Sequence, residues 1–332
     1  MYRQNHKYSP TTKWFLFASL LFNLNLSAQK RYTFQRYLMG SEFNIVFYAV
    51  NDSIAKVASD SVFRRIEFLN TILSDYLDGS EANQLSASAG SEKWQKVSPE
   101  MFDVLSNSVV ISQKTMGSFD VSIGAITQLW RRAIRRNFFP ETTEIEKNKA
   151  TIGYNFIQLN AKNRSVKLLK TGTRLDFGGI GKGYAADEGI KVLKHFRIIR
   201  ALIDAGGDLA IAQPPPNKPL GWAIEISSGL KDSTKTQTIY LKNCGVATSG
   251  KTYRYIDHNG KRYSHIVNPK TGVGLLNHVR TTVVAENGTV ADALATAFSV
   301  LGIEKSKKIV KKFKPIKVWL LEQNKEWKME FD

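Results

Sequence analysis

Hydrophobic and polar residues alternate at two different periods in the first third of the chain. Apolar residues at every second position predict strands at residues 32–38 and 42–50, which flank a Met-Gly turn. After Asn51 the apolar spacing changes to three and four, which predicts a helix. A polar stretch at residues 74–96 predicts a loop, and a Ser-Pro-Glu start predicts a second helix over residues 98–114.

Short strands and helices continue to alternate in the rest of the chain. Segments 152–159 and 165–170 alternate on either side of a Lys-Asn pair and predict a hairpin. A glycine-rich turn at 178–183 precedes a predicted helix over 184–196, and Asn259-Gly260 suits a two-residue hairpin turn. Further strands are predicted at 200–204, 209–212, 221–227, 236–242 and 281–286, before a helix from about Thr289 to Gly302. Without a repeat or a dividing linker, this order predicts one α+β unit, with room for two lobes.

Composition restricts the class of protein but says little about its chemistry. Of 332 residues, 42% are hydrophobic and 23% are charged, which excludes a disordered or fibrous chain. The net charge of +18 favours an anionic partner, such as a nucleotide, a nucleic acid or an acidic surface. Because Cys244 is the only cysteine, an internal disulfide, a cysteine-rich zinc site and a c-type haem attachment are excluded.

Residues 1–28 have the pattern of an export signal. Three basic residues precede an apolar stretch from Trp14 to Phe22, and Leu26-Ser27-Ala28 offers small residues for cleavage. The apolar run is shorter than the roughly 18–20 residues that a membrane span needs, and no cysteine follows it for lipid attachment. We therefore expect residues 29–332 to form an exported, soluble protein with a net charge of +15, on the periplasmic or cell-envelope side of the inner membrane.

Asp292 and Thr296 lie four residues apart on the last predicted helix. At that spacing both side chains project from the same face, one turn apart. A carboxylate and a hydroxyl are hard oxygen ligands that suit magnesium, whose remaining positions can be taken by phosphate and water. A capping or surface aspartate on an alanine-rich core helix is the commoner origin of such a pair, so both interpretations stay open at this point.

The glycine-rich turn at 178–183 indicates an anion site of unspecified kind. Closely spaced glycines before a helix let backbone N–H groups approach a phosphate, and the helix dipole favours its charge. The segment is not a dinucleotide fingerprint, and Gly183 follows Lys182 where a Walker loop has serine or threonine. Asp-Phe-Gly at 176–178 is not a kinase signature, because the chain contains no His-Arg-Asp catalytic loop.

His265 leads into an Asn-Pro-Lys-Thr-Gly turn. A histidine on such a rigid support could act as a general base, although a buried histidine at the end of a hairpin strand is commoner. A serine hydrolase is not indicated, because the chain contains no Gly-x-Ser-x-Gly elbow.

Two segments, 131–136 after Trp130 and 305–314 near the C-terminus, are strongly basic. In the second, apolar residues recur on one helical face: Ile303, Ile309, Val310 and Phe313. A solvated helix face explains both segments. Because no nucleic-acid recognition module is evident, no nucleic-acid partner is expected.

Eight short segments occur in order across nearly the whole of residues 29–332. They are Met39-Gly40, Leu73-Ser74-Asp75-Tyr76 with Ser80-Glu81, Gly117-Ser118-Phe119-Asp120, Asp176 to Ala185, Gly206-Gly207-Asp208, Ala247-Thr248-Ser249-Gly250, Ser264 to Pro269, and Ala291 to Thr296. Together they resemble the FAD:protein FMN transferase family, also called ApbE. Each segment is weak alone, and their common order makes the resemblance specific.

The resemblance implies an α+β fold with FAD in a cleft and magnesium on its diphosphate. Asp292 and Thr296 match the side-chain metal ligands, and Gly181 matches the position that gives a backbone carbonyl to the ion. Lys182 would assist in neutralising the phosphates, and His265 matches the histidine implicated in activating the acceptor hydroxyl. Positions that line the flavin nucleotide are matched by Met39, Tyr76, Leu77, Asp78, Asp120, Gly178, Tyr184, Ile266 and Ala295.

The implied reaction is magnesium-dependent transfer of FMN from FAD to a threonine or serine hydroxyl of an acceptor flavoprotein, with release of AMP. The implied partner is a subunit of a redox or electron-transfer complex, through which this chain would associate with the membrane. Two alternatives stay open. One is a magnesium-dependent FAD pyrophosphatase, and the other is a non-catalytic flavin-binding protein, which would need neither the metal pair nor the histidine.

The chain departs from the family pattern at three places, none of which removes an implied ligand. A plain cleavable signal stands where some members carry a lipid-bearing cysteine. Val121-Ser122 follow Phe-Asp, where several members have Pro-Thr or a similar pair. The basic segment after Trp130 is unusual, and contact with the acceptor or a solvated surface would explain it equally well.

Overall fold

The computed structural model describes residues 29–227, 236–250, 255–276, 279–322 and 325–331, so the predicted export signal lies outside the described residues. The helices in this part are α1 (Asp52–Leu73), α2 (Glu81–Ala87), α3 (Pro99–Lys114), α4 (Gly124–Arg136), α5 (Thr142–Lys149), α6 (Gly181–His195) and α7 (Gly288–Ile309), with 3₁₀ turns at Tyr154–Phe156 and Val310–Phe313. None of these described helices has the length and apolarity to cross a membrane.

The strands in the described residues are short and lie throughout the chain. They are β1 (Lys30–Leu38), β2 (Ser41–Ala49), β3 (Gln95–Lys96), β4 (Ile157–Asn160), β5 (Ser165–Leu168), β6 (Ala201–Ala205), β7 (Leu209–Ile211), β8 (Trp222–Ser227), β9 (Thr236–Leu241), β10 (Cys244–Ser249), β11 (Tyr255–His258), β12 (Lys261–Ser264), β13 (Val267–Asn268), β14 (Val273–Gly274), β15 (Val279–Ala285), β16 (Ile316–Glu322) and β17 (Lys325–Phe331). Together with the helices they confirm the predicted α+β class.

One antiparallel sheet of eight strands forms the centre of the molecule, in the order β1-β2-β6-β7-β10-β15-β16-β17. Along β2, Phe43, Ile45 and Phe47 are fully buried and the residues between them are half-buried. This is the period of two that the sequence shows, because successive side chains of a strand point to opposite faces. The β1–β2 pairing confirms the predicted hairpin with Met39 at its turn.

Helices α1, α6 and α7 cover one face of this sheet and enclose the main hydrophobic core. The Asn51 side chain accepts a hydrogen bond from the Ile54 N–H at 2.9 Å and so caps α1 as predicted. The Asp187 carboxylate on α6 accepts hydrogen bonds from the N–H groups of Gly288 and Thr289 at 2.9 and 2.8 Å. Because these donors begin α7, Asp187 joins the two helices that carry the predicted phosphate and metal segments.

Two smaller groups of elements complete the fold. The β8–β9 hairpin covers the opposite face of the sheet with Trp222 and Leu241. Helices α4 and α5 pack with the β11–β14 hairpins in a separate cluster that includes Trp130, Ile145 and Val267. Between β11 and β12, the Asn-Gly turn forms as predicted.

Three predicted boundaries are wrong. Residues 74–96 contain α2 and β3. Helix α2 is short and mostly polar, but it buries Ala82 and Leu85 in the main core, and its Glu81 carboxylate accepts hydrogen bonds from the Ser98 N–H and hydroxyl at 2.6 Å. Residues 154–156 form a 3₁₀ turn, so the first strand of the 152–159 hairpin begins only at Ile157.

The third error concerns where a helix begins. Helix α6 begins at Gly181, three residues before the predicted start, so the last glycines of the turn are helical. The prediction at Gly302 is confirmed: the backbone is non-helical there, with a φ of 69°, so the first helical segment of α7 ends at this glycine. The Glu322 carboxylate accepts a hydrogen bond from the Ile303 N–H at 3.0 Å, which caps a second helical segment that continues to Ile309.

Candidate functional site

The glycine-rich loop reaches α7 at the two residues predicted to hold a metal. A Cβ atom on Gly183 would lie 2.1 Å from the carbonyl oxygen of Gly288 and 2.9 Å from the Cβ of Asp292, so the backbones approach as closely as only glycine allows. The Gly183 N–H donates a hydrogen bond to the Asp292 carboxylate at 3.1 Å. A Cβ atom on Gly179 would lie 3.0 Å from Oγ1 of Thr296. The loop therefore contacts both predicted side-chain ligands.

Where the start of α6 lies against α7, a place we call the crossing, two buried carboxylates lie near one ammonium group. They are Asp208 and Asp292, and the ammonium group is that of Lys182. Burial and the neighbouring Asp208 carboxylate raise the pKa of Asp292 to about 8. Burial also raises the pKa of Asp208, although this carboxylate pairs with the Lys182 ammonium. Desolvation opposes the charge of Lys182, but Asp208 and Asp292 outweigh it and raise the lysine pKa. Without a further positive charge the crossing favours the protonated form of Asp292, and a bound cation would favour its charged form.

The donor set at this crossing fits magnesium. In the part of the chain that the structure describes, no three His, Cys, Asp or Glu side chains are grouped to hold a metal. Asp292 is 6% exposed and Thr296 is half-buried on the same face of α7, so they offer two oxygen atoms. Backbone, phosphate or water oxygens would have to complete the shell, which is how magnesium is commonly bound. An all-oxygen set also disfavours zinc, which prefers nitrogen and sulfur ligands.

Met39 and the end of α1 meet the start of α6 at Gly181. A Cβ atom on Gly181 would lie 3.9 Å from Cε of Met39 and 4.0 Å from Cδ1 of Leu73. Leu73 is the last residue of α1, directly before the predicted flavin-contacting stretch 76–78. The fold thus brings three of the resembling segments together around one glycine.

The stretch 76–78 is exposed next to this point, and Tyr76 as a whole residue is 68% exposed. The guanidinium of Arg131 on α4 lies 4.3 Å from the centre of the Tyr76 ring. The same guanidinium pairs with Asp75 and, at 2.5 Å, with Asp176. A solvated-surface interpretation of the basic segment is therefore wrong for Arg131, whose partners stand 56 and 45 residues away in the chain.

Asp176 fixes the beginning of the glycine-rich loop. One of its carboxylate oxygens accepts a hydrogen bond from the Gly178 N–H at 2.7 Å. The other accepts from the Thr127 hydroxyl at 2.6 Å and from Arg131. No role for Asp176, Asp208 or Arg131 followed from the sequence, although the first two stand inside resembling segments. In the sequence, Asp176 and Asp208 are acidic residues beside glycines, and that pattern is too common to predict a role.

Three of the predicted flavin-lining residues have buried side chains. The Asp120 carboxylate accepts hydrogen bonds from the Ser122 N–H and hydroxyl at 2.9 and 2.7 Å and from the Tyr154 N–H at 2.7 Å. Burial raises the pKa of Tyr184, which packs in the main core, and Ala295 is also enclosed there. Contact of these three residues with a flavin nucleotide stays a prediction.

His265 lies on an exposed turn between β12 and β13, so a buried histidine is not what the structure shows. The backbone around it is fixed: the Ile266 N–H donates to the Ser264 hydroxyl at 3.1 Å, and the Ile266 carbonyl accepts from the Leu275 N–H at 2.8 Å. Trp130 on α4 supports the same hairpin by donating its indole N–H to the Gly272 carbonyl at 2.8 Å. The histidine side chain is therefore accessible on a firmly held turn.

Comparison with known proteins identifies the family. The ApbE family model matches residues 39–320. The FAD:protein FMN transferase of Escherichia coli K12 is 30% identical over 247 residues, which cover 73% of this chain and 70% of that protein. The protein of the same name from Treponema pallidum is 29% identical over 270 residues, which cover 77% of this chain and 74% of that protein.

Solved structures agree with this assignment. The ApbE protein of Thermotoga maritima matches with a TM-score of 0.80 and 27% identity, over 91% of this chain and 97% of that one. The flavin transferase ApbE of Vibrio cholerae has a TM-score of 0.79 over 90% of this chain and 97% of its own, and at 23% identity it supports the fold alone. With ordered motifs, a matching fold and a family match over most of its length, the chain belongs to the ApbE family.

Proposed function

We propose that this chain transfers the FMN part of FAD to a threonine or serine hydroxyl of an exported acceptor flavoprotein, in a magnesium-dependent reaction that releases AMP. The observation that carries the proposal is the close approach of the glycine-rich loop to Asp292 and Thr296. The substrate and the transferred group follow the names of the Escherichia coli and Treponema pallidum relatives.

The crossing of α6 and α7 would bind the diphosphate. Asp292, Thr296 and the Gly181 carbonyl would hold magnesium, which supplies positive charge to the diphosphate oxygens when it is bound. The N-terminus of α6 adds the partial positive charge of its helix dipole. Lys182 is paired with Asp208, so we expect it to lie beside the diphosphate and to add positive charge there without binding it as its main partner.

The exposed surface next to the crossing would bind the flavin. Tyr76, Leu77 and Asp78 lie exposed there and offer an aromatic face, an apolar side chain and a carboxylate. Met39 and Gly178 border the same start of α6. Four further residues would shape the walls of the site, three of them from buried positions: Asp120, Tyr184 and Ala295, together with the half-buried Ile266.

The exposed turn would bring the acceptor and the base together. His265 would take the proton from the acceptor hydroxyl while the hydroxyl oxygen forms a bond to the FMN phosphorus. The bond from that phosphorus to the bridging oxygen breaks, and AMP leaves with the electron pair. The proton passes from His265 to solvent or to AMP. Because the histidine is exposed, a hydroxyl on another protein can reach it.

The acceptor we propose is a subunit of a redox or electron-transfer complex outside the cytoplasm, where it would associate the transferase with the membrane. The export pattern of residues 1–28 supports this location.

The test is the intact mass of an acceptor domain with an exposed threonine, after incubation with residues 29–332, FAD and magnesium. We expect an increase of one FMN residue, which is lost with EDTA and in Asp292→Asn. Release of AMP and free FMN without a mass increase would instead support the pyrophosphatase. FAD binding without either product would support a flavin-binding protein that does no chemistry.

A further inference from the structure

Arg131 differs from the other arginines of its helix. Arg132, Arg135 and Arg136 are exposed on α4, whereas the Arg131 side chain is 28% exposed and reaches into the molecule. It follows Trp130, whose burial fixes the rotation of the helix. That rotation directs the guanidinium to the ring of Tyr76 and to Asp176 at the beginning of the glycine-rich loop.

Arg131 neutralises two carboxylates that otherwise face each other. The side chains of Asp75 and Asp176 are each 6% exposed, and the guanidinium pairs with both. Burial and the charge of Asp176 raise the pKa of Asp75, while Arg131 acts in the opposite direction. Without the arginine, two buried like charges would repel each other and push the two segments apart.

The backbone and the side chains of the flavin-contacting stretch are held by different groups. Asn83 on α2 donates from its side-chain amide to the carbonyl of Leu77 at 3.0 Å, and the Ser74 hydroxyl accepts from the Tyr76 N–H at 3.3 Å. These bonds fix the backbone and leave the Tyr76 side chain to be placed by other contacts. The guanidinium of Arg131 lies against that ring, 4.3 Å from its centre, and Tyr76 remains exposed to solvent.

We propose that Arg131 is a positioning residue that holds the Tyr76 ring and the Asp176 end of the glycine-rich loop at one fixed separation before FAD binds. A site that is already ordered loses less conformational entropy on binding, so its affinity is higher. The inference rests on the proposed function, because it takes FAD to span the surface between Tyr76 and the loop.

The test compares four variants of residues 29–332. Arg131→Lys keeps the charge and loses the fork that reaches two carboxylates. Arg131→Met removes the charge, and Arg131→Met with Asp75→Asn also removes one of the two facing carboxylates. Arg135→Met, one turn further along α4 and exposed, is the matched control. Calorimetry with FAD and magnesium gives the dissociation constant, visible circular dichroism of the bound flavin reports its orientation, and thermal unfolding without FAD reports the fold.

We expect the FAD dissociation constant to rise at least tenfold in Arg131→Lys and in the double variant, with an altered flavin dichroism and a near-parental unfolding temperature. The control should match the parent in all three measurements. If these folded variants bind FAD within twofold of the parent and with the same dichroism, Arg131 only stabilises the fold and the inference is wrong. Should Arg131→Met alone fail to fold, the other two variants still decide the question.

The parent protein separates this inference from the proposed function. If the parent binds FAD and labels the acceptor while the Arg131 variants behave like it, only the positioning role fails. If the parent binds no FAD, the proposed function fails first, and the positioning role fails with it.

Discussion

The two parts of the proposed site are built in opposite ways. At the crossing of α6 and α7, Gly183, Asp208 and Asp292 are buried, and the backbones touch. On the turn after β12, His265 is exposed and its support comes from a separate cluster around Trp130. In the first part the geometry of the site and the stability of the fold depend on the same contacts. On the exposed turn, the cluster around Trp130 supplies the stability, and the His265 side chain supplies the proposed chemical group. A substitution at His265 can therefore remove function without lowering stability.

The largest effect is expected from Gly183→Ala. Its methyl group would lie 2.1 Å from the Gly288 carbonyl oxygen, so α6 and α7 must separate. We expect the free energy of unfolding to fall by about 3 kcal/mol and FAD binding to be lost. Urea denaturation measures the first and calorimetry the second.

Gly181→Ala is the matched control for this prediction. Its added Cβ would meet nothing closer than 3.6 Å, an ordinary contact, at a position where alanine favours the helix. Its stability should be equal to or above that of the parent. If both variants lose the same stability, the close approach at Gly183 is not what holds the crossing together.

The next effect is expected from Asp292→Asn, which should separate function from stability at the crossing. We expect FMN transfer to fall at least about a hundred-fold, because the proposed magnesium ion would lose its charged ligand. The folded chain should still form, since asparagine can accept the same hydrogen bond from the Gly183 N–H.

The pH dependence of that variant in EDTA provides an independent measurement. Because burial and Asp208 raise the pKa of Asp292 to about 8, the folded parent binds a proton that the unfolded chain has released above its ordinary pKa. The stability of the parent therefore falls as pH rises from about 4 to about 8. Asp292→Asn should melt above the parent at pH 8 and close to it at pH 5. An unchanged difference between the two pH values would contradict the shift.

A more selective effect, on the rate of transfer alone, is expected from His265→Ala on the exposed turn. Loss of a general base should lower the rate of transfer by about 10²–10⁴-fold. FAD affinity and unfolding temperature should not change, because the side chain is exposed. His195→Ala, an exposed histidine at the end of α6, is the control and should keep full activity. A loss of FAD affinity in His265→Ala would place the histidine in FAD binding instead of in proton transfer.

The smallest effect is expected from Trp130→Phe, which keeps a buried aromatic ring on α4, and with it the rotation of the helix, but loses the hydrogen bond that supports the turn. It removes the hydrogen bond to the Gly272 carbonyl and should lower the free energy of unfolding by about 1–2 kcal/mol. We expect a several-fold lower transfer rate with unchanged FAD affinity, because His265 becomes less well oriented. An unchanged rate at full FAD saturation would show that the turn does not depend on this tryptophan.

The sequence predictions are accurate for elements that depend on residues close together in the chain, and they fail for elements that depend on distant ones. Helix α1 and the β1–β2 hairpin form as predicted, because their signals are periodicity and capping within a few residues. Helix α2 was missed, because it is short and polar and depends on a contact between Glu81 and Ser98, 17 residues away.

The two basic segments show the same limit. The lysines at 305–314 stay exposed on the outer face of the last helical segments, as a solvated face predicts. Arg131 stands in a segment that looks equally basic, yet it pairs with Asp75 and Asp176. Nothing local distinguishes the two cases, because the partners lie far away in the chain.

By itself the sequence determined the α+β class, most of the elements, the shared helical face of Asp292 and Thr296, and the ordered motifs of the family. Those features rest on chemistry and spacing within a few residues. Only the tertiary structure decided that Gly183 donates to Asp292 across 109 residues, that Asp208 pairs with Lys182, and that Arg131 lies against the ring of Tyr76. Burial and opposing charges set these contacts, and both depend on which distant segments the fold brings together.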